Sequence, residues 1–305
     1  MTVTWQDLFG DGPVVLDGGL STQLEQQGQD ISGSLWTARA LLADPTAVTR
    51  AHAAYLSAGA DVVITSSYQL SRRGFVEIGL TPADADAALR ASTRVARVAA
   101  EGTRTRVAAS VGPFGAIRHD GSEYRGRYGL THGELVAFHR ERLDVIAMTA
   151  PDLLAVETIP DVDEATALAD VLADHPGLLA WMTFSCVDGA HTCAGQSIED
   201  AVAVASAIPT VAAVGVNCTD PRYVAELVQR TRAVTDLAIV VYANAGGTWD
   251  AATGEWQDTE IAGGVFTDDL IDAWRAAGAV AIGGCCGTDA RAISAIARRL
   301  ASPAR

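Results

Sequence analysis

Val214-Gly215-Val216-Asn217-Cys218 and Ala281-Ile282-Gly283-Gly284-Cys285-Cys286-Gly287 are the two stretches from which the rest of the chain can be read. Each is a short apolar run that stops at cysteine. Runs of this length, bounded by turn residues, read as strands buried on both faces. If the two strands are neighbours in a barrel, the thiols of Cys218, Cys285 and Cys286 converge at one mouth. Three thiolates with a fourth position left open describe a catalytic Zn²⁺ site. The plainer reading makes each cysteine a small buried hydrophobe. An adjacent pair among glycines resists that reading. Neighbouring strand residues point to opposite faces, so both thiols reach one ion only if the backbone turns. Gly283, Gly284 and Gly287 permit the turn.

Working outward, similar runs recur at 14–17, 61–66, 106–111, 152–157, 179–185, 211–217, 237–243 and 280–284. Longer amphipathic stretches lie between and after them, at 45–57, 82–101, 130–149, 161–174, 198–207, 221–234, 267–277 and 289–300. Pro45 and Pro82 mark helix starts, and Ala58-Gly59 and Ala277-Gly278 mark stops. Strands alternating with helices, each strand near-continuously apolar, predict an α/β fold: a single (β/α)₈ TIM-type barrel over residues 1–305. A doubly wound open sheet is the rival. Asp17, Thr65, Ser66, Glu157, Ser185, Asn217, Cys218, Asn244 and Cys285-Cys286 all fall at carboxyl ends of these strands. That face carries the active site in such barrels.

Composition narrows the function. The chain has 305 residues, 49% hydrophobic, and its mean hydropathy is +0.18. No apolar stretch is long enough to span a membrane, and the N-terminus has no basic-then-apolar leader. Five cysteines, an odd number with two adjacent, suit a reducing compartment. A soluble, cytoplasmic protein is expected. A net charge of -15 argues against nucleic acid as a partner. No lysine is present; all 22 basic residues are arginine. Schiff-base and pyridoxal phosphate chemistry, which need a lysine amine, are therefore excluded.

Three thiolates make an electron-rich metal centre. It is poorly suited to generating hydroxide and well suited to keeping a fourth thiol deprotonated. Alkyl transfer to a thiol substrate follows, with no residue needed as general acid or base. Asp17 in Leu16-Asp17-Gly18-Gly19 and Glu157 in Ala155-Val156-Glu157-Thr158 could pair with a substrate ammonium, while backbone beside Gly18 could meet a carboxylate. Together they describe an α-amino acid site. The competing readings are a helix-capping turn for Asp17 and an arginine ion pair for Glu157. Cys186 and Cys193 are rival ligands, but with His191 they read better as a polar loop. Tyr68, Phe114, Trp181, Phe184, Tyr242 and Trp249 stand near strand ends, where a ring could face a sulfonium.

At these residues the chain resembles the homocysteine S-methyltransferase family. The likeness runs through Leu16-Asp17-Gly18-Gly19-Leu20-Ser21-Thr22-Gln23-Leu24-Glu25, Ile64-Thr65-Ser66-Ser67-Tyr68-Gln69, Val111-Gly112-Pro113-Phe114-Gly115-Ala116, Asp120-Gly121-Ser122-Glu123-Tyr124, Glu157-Thr158-Ile159-Pro160, Gly215-Val216-Asn217-Cys218-Thr219 and Gly283-Gly284-Cys285-Cys286. It implies a Zn²⁺-bearing barrel with Cys218, Cys285 and Cys286 as ligands. It implies that Asp17 and Glu157 bind the homocysteine ammonium, that backbone near Gly18 and Thr65 meets its carboxylate, and that Asn217 belongs to the same site. The expected donor is S-methylmethionine, with S-adenosylmethionine a poorer one. Two positions depart from the pattern: Gly287, where many relatives carry arginine, and Ala243, where proline is usual.

The expected partners are these small molecules, without nucleic acid or membrane, and the expected state is a monomer or weak homo-oligomer. Rival readings are another donor such as betaine, a selenium acceptor such as selenohomocysteine or selenocysteine, and a non-catalytic zinc or thiol redox sensor.

Overall fold

The computed structural model describes residues 4–30, 36–246, 248–250, 255–257 and 266–302. Its strands are β1 (Val14–Val15), β2 (Val62–Ile64), β3 (Arg106–Val111), β4 (Leu153–Ile159), β5 (Ala180–Phe184), β6 (Val211–Asn217), β7 (Ala238–Ala243), a separate antiparallel pair β8 (Thr248–Asp250) and β9 (Glu255–Gln257), and β10 (Ala281–Gly284). The eight parallel strands run in the order β1-β10-β7-β6-β5-β4-β3-β2. A parallel bridge between Leu16 and Val62 joins the two ends. An open doubly wound sheet has no such closure, so the barrel reading holds.

The helices are α1 (Trp5–Phe9), α2 (Leu20–Gln26), α3 (Trp36–Ala43), α4 (Pro45–Ser57), α5 (Arg72–Glu77), α6 (Pro82–Ala100), α7 (His132–Ala147), α8 (Val162–Ala173), α9 (Ile198–Ser206), α10 (Pro221–Arg232), α11 (Asp268–Ala277) and α12 (Ala290–Leu300). Their starts follow from local chemistry. Asp44 accepts from the N–H groups of Thr46 and Ala47 ahead of Pro45. Thr81 with Asp84, and Thr131 with Glu134, close reciprocal caps, satisfying donors a helix start leaves open. The short helices α1, α2, α3 and α5 were not foreseen. They are five to eight residues long, too short to show a clear apolar period.

Strand periodicity divides the core in two. Leu153 and Ala155, Trp181, Ala213, Val240 and Ala281 fill the barrel interior, which α1 plugs from below through Trp5, Leu8 and Phe9. Leu154 and Val156, Met182, Val214, Val241 and Ile282 face outward into the helical layer. The same alternation, continued up each strand, sets Ser110, Glu157, Thr183, Asn217 and Tyr242 in the top interior layer. All are buried. The polar floor of the site therefore follows from strand parity.

β4 runs two residues past the expected end at Glu157. Its pairing with β5 is irregular between Val156 and Ile159, and Thr158 there has φ +60°.

Candidate metal and substrate site

Cys218 follows β6 and Cys285-Cys286 follow β10, two strands that both pair with β7. The Cys218 N–H donates to Tyr242 O at 3.0 Å and the Cys285 N–H to Ala243 O at 2.7 Å, so β7 holds both ends in register. The vicinal pair converges because it begins a turn. The Thr288 N–H donates back to Cys285 O at 3.1 Å, and Gly287 takes φ +79° at the third position, as a type II turn demands. A Cβ on Gly287 would lie 2.7 Å from the Ala245 Cβ. Gly283 and Gly284 contribute differently from expectation. They are β10 residues whose missing side chains leave room for Leu16 and Thr288, and the turn is Gly287's.

The three sulfurs lie within 4.8 Å of one another. Cys218 Sγ is 3.6 Å from Cys286 Sγ, which is 4.0 Å from Cys285 Sγ. A tetrahedral Zn–S bond of about 2.3 Å requires S···S edges of about 3.8 Å, so the donor set fits that ion. Hydrogen bonds from Cys218 and Cys285 draw the Cys286 thiol well below its usual range. The Tyr124 hydroxyl lies 3.1 Å from Cys218 Sγ. Cys186 and Cys193 stand outside this cluster, and burial pushes the Cys193 thiol up to about 11. His191 is exposed and pairs with Asp188.

Two residues at the mouth hold positive φ without being glycine: Cys218 at +47° and Thr158 at +60°. Such conformations cost energy and persist where their surroundings impose them. Asn217 imposes the second. Its Oδ1 accepts from the Thr158 N–H at 2.7 Å and the Thr183 hydroxyl at 2.7 Å, and its Nδ2 donates to the Thr158 hydroxyl at 2.8 Å. Both acceptor positions of Asn217 are thereby committed to protein, and its evident work is to fix the Glu157-Thr158 turn.

Asp17 caps no helix: the N-cap of α2 is Gly19, and no side chain caps it. One Asp17 carboxylate oxygen accepts from the Ile64 N–H at 2.8 Å, and Oδ1 is buried with no partner. Burial pushes this carboxyl well above the usual range. Glu157 pairs with no arginine among the described residues; it accepts from the Ser110 hydroxyl. Burial, opposed by bonds from Ser110 and Tyr242, raises its pKa to about 7. Among the described residues, neither carboxylate has the cation that normally accompanies a buried negative charge.

The backbone near them is more committed than the sequence suggests. The Thr65 N–H donates to Ala108 O at 2.9 Å and the Gly19 N–H to Thr288 O at 3.0 Å. The Thr65 hydroxyl meets Ser67 and the Ser110 N–H. Gly18 is required by close packing, since a Cβ there would lie 2.7 Å from Thr288 O and 2.9 Å from the Tyr55 ring. The unspent donor beside Thr65 is Ser66, whose buried hydroxyl has no partner.

Among the aromatics, Trp181 and Tyr242 sit in the barrel interior, joined by a 3.1 Å hydrogen bond. Phe114 and Phe184 pack in the outer layer, and the Trp249 side chain lies outside the described residues. A surface hollow of about 470 Å³, lined by Arg94, Arg97, Arg104 and Arg106, opens at the opposite end of the barrel and shares no residue with this site.

A parallel barrel whose carboxyl-end mouth carries a three-thiol cluster beside buried carboxylates, neither paired with a cation among the described residues, is the framework of a barrel enzyme with a soft metal-ligand set next to groups that favour a positive charge. The profile of the homocysteine S-methyltransferase family matches residues 14–300. Homocysteine S-methyltransferase 4 of Zea mays is 44% identical, covering 94% of this chain and 89% of that one. Homocysteine S-methyltransferase 1 of Zea mays is 41% identical, covering 95% and 94%. The metallated form of the homocysteine methyltransferase MmuM from Escherichia coli superposes with a TM-score of 0.85 at 36% identity, covering 96% of this chain and 98% of that one. The chain belongs to the homocysteine S-methyltransferase family and is a methyltransferase. Among the described residues no helix is long and apolar enough to cross a membrane.

Proposed function

We propose that this protein transfers a methyl group from a sulfonium donor to the thiol of homocysteine, giving methionine, with Zn²⁺ as resident metal. The observation that carries the reading is the sulfur triangle, whose 3.6 and 4.0 Å edges match a tetrahedral thiolate site, beside carboxylates that want a cation. Cys218, Cys285 and Cys286 would hold the ion, which when bound supplies a site where a substrate thiol stays deprotonated at neutral pH.

The remaining work belongs to the chain. Asp17 and Glu157 take the homocysteine ammonium. Gly18 shapes the wall, and the Ser66 hydroxyl beside Thr65 offers its hydrogen to the substrate carboxylate. Asn217 keeps Glu157 aimed inward through Thr158. With the amino acid end fixed, its sulfur is held for in-line attack, and positioning of this kind can supply much of the rate. The sulfur lone pair forms the new C–S bond while the donor's C–S pair returns to the donor sulfur, leaving a neutral thioether. The thiol proton is given up when the sulfur becomes thiolate, and the methyl-transfer step itself then moves no proton. S-Methylmethionine is the expected donor, ahead of S-adenosylmethionine.

The test is methionine formation by reduced, zinc-loaded protein from homocysteine and each sulfonium separately. Turnover that survives replacement of all three cysteines by serine would overturn the reading.

A further inference from the structure

The connection from β3 to α7 holds a carboxylate that the roles above leave unused. Glu123 lies in the short 3₁₀ turn Ser122–Tyr124, entered through Gly121 at φ +71°. Gly115 lets the Ser122-Glu123 backbone pack where a Cβ would collide, and the Ser185 hydroxyl at the end of β5 reaches Glu123 O at 3.4 Å. The residue is 4% exposed, and its Oε2 is buried without a hydrogen-bond partner. Arg125, the cation that acts on it, is itself 65% exposed and sits 3.6 Å from Asp120.

What surrounds the carboxylate is informative. Its charge is felt by Cys286, Tyr68 and Tyr124, and the Tyr124 hydroxyl is seated against Cys218. Burial, followed by the Cys218 sulfur, pushes the Glu123 carboxyl up to about 7. An anion beside a sulfur-rich centre is unfavourable unless a cation comes with it. A carboxylate near enough to two tyrosines for its charge to act on both is also the chemistry that takes organic cations.

We propose that Glu123, with the rings of Tyr68 and Tyr124, receives the α-ammonium end of the methyl donor. Asp17 hangs on the β1–β2 seam and Glu157 ends the regular part of β4, while Glu123 arrives from the β3–α7 connection, so the two ammonium groups would be held by carboxylates from different segments. This inference rests on the sulfonium-donor reading above. The choice of ammonium over sulfonium follows from charge. The sulfonium charge vanishes as the methyl leaves, so a carboxylate on it would favour the ground state and slow the reaction. The ammonium keeps its charge throughout, and holding it strengthens binding without opposing the chemical step.

The test is Glu123→Gln, read with two donors in the zinc-loaded protein: S-methylmethionine, which carries an ammonium, and trimethylsulfonium, which does not. Calorimetric binding of S-methylmethionine without homocysteine gives a readout independent of turnover. The KM and Kd for S-methylmethionine should rise at least ~30-fold, the scale of losing one partner of a buried charge pair. The kcat, the homocysteine KM and the trimethylsulfonium kcat/KM should stay within about twofold, the pattern of lost uniform binding. Equal losses with both donors, a lower kcat at unchanged KM, or no binding of S-methylmethionine by the unaltered protein would overturn the proposal. If the unaltered protein binds S-methylmethionine yet methylates with neither sulfonium, the donor reading fails while the Kd comparison still decides Glu123's role. Should the glutamine variant misfold, Glu123→Asp supplies the same comparison, penalised only with the ammonium-bearing donor.

Discussion

Replacing Glu157 by glutamine should move stability and function in opposite directions. The carboxyl is buried, and its pKa stands near 7 against 4.5 for the ordinary group. A folded-state pKa above the unfolded value means that the folded protein binds the proton more tightly. Its contribution to stability is present below pH 4.5 and is lost as pH rises through 7. At about 1.36 kcal/mol per unit the shift is worth roughly 3 kcal/mol. A glutamine keeps the shape and can still accept from Ser110, without the charge. The substrate-free variant should therefore match the unaltered protein at pH 4 and exceed it by up to ~3 kcal/mol at pH 8. That is about 5 °C in Tm for a chain of this size. Homocysteine binding should suffer meanwhile. Losing one partner of a buried charge pair costs about 2–5 kcal/mol, and with Asp17 still present the low end applies. The homocysteine KM should rise about 30- to 150-fold. Thermal melts at the two pH values, with KM measured at pH 8, make the assay. A variant no more stable at pH 8 than at pH 4, relative to the unaltered protein, would refute the argument from burial. An unchanged KM would remove Glu157 from the ammonium site.

Serine at Cys218, Cys285 or Cys286 should abolish zinc retention and methyl transfer together while far-UV circular dichroism stays unchanged; full metal content in any of the three would remove that residue from the ligand set. Gly287→Ala should cost ~1 kcal/mol or more from its positive φ and weaken zinc binding by displacing Cys286, measured by chelator competition. Glu164→Ala should destabilise the protein by ~3 kcal/mol or more, because its carboxylate accepts from the Phe114 N–H, His139 and the Tyr128 hydroxyl at 2.6, 2.9 and 3.0 Å. Chemical denaturation would show it, and a shift under 1 kcal/mol would mean that those groups find other partners.

The alternation of apolar runs with amphipathic stretches made the barrel legible, because parallel strands buried on both faces leave a strong local signal. The cysteine positions were legible for the same reason: each lies just past a strand end. What the sequence hid was contact between distant segments. Nothing local says that Asn217 grips Thr158, or that the Thr65 and Gly19 N–H groups are spent on Ala108 and Thr288. Glu123 stands in a quoted motif, yet its burial depends on Gly115 and Ser185, which arrive from elsewhere. Gly283 and Gly284 resembled turn residues because glycine in sequence does not distinguish a positive φ from a crowded strand.

The barrel is fastened by a clasp and not by a continuous hoop. β1 contributes two residues, and its join to β2 rests on the Leu16–Val62 bridge, an Asp61-to-Val15 N–H···O contact of 2.7 Å, and two aspartate carboxylates that stand in for missing ladder bonds, Asp61 to the Val15 N–H and Asp17 to the Ile64 N–H. The Ile64 amide should therefore be among the first in the barrel wall to exchange with solvent deuterium, through a local opening far cheaper than unfolding. Since Asp17 is also the group proposed to take the substrate ammonium, occupation of the site should close the clasp, and the slowing of exchange along β2 would report that closure.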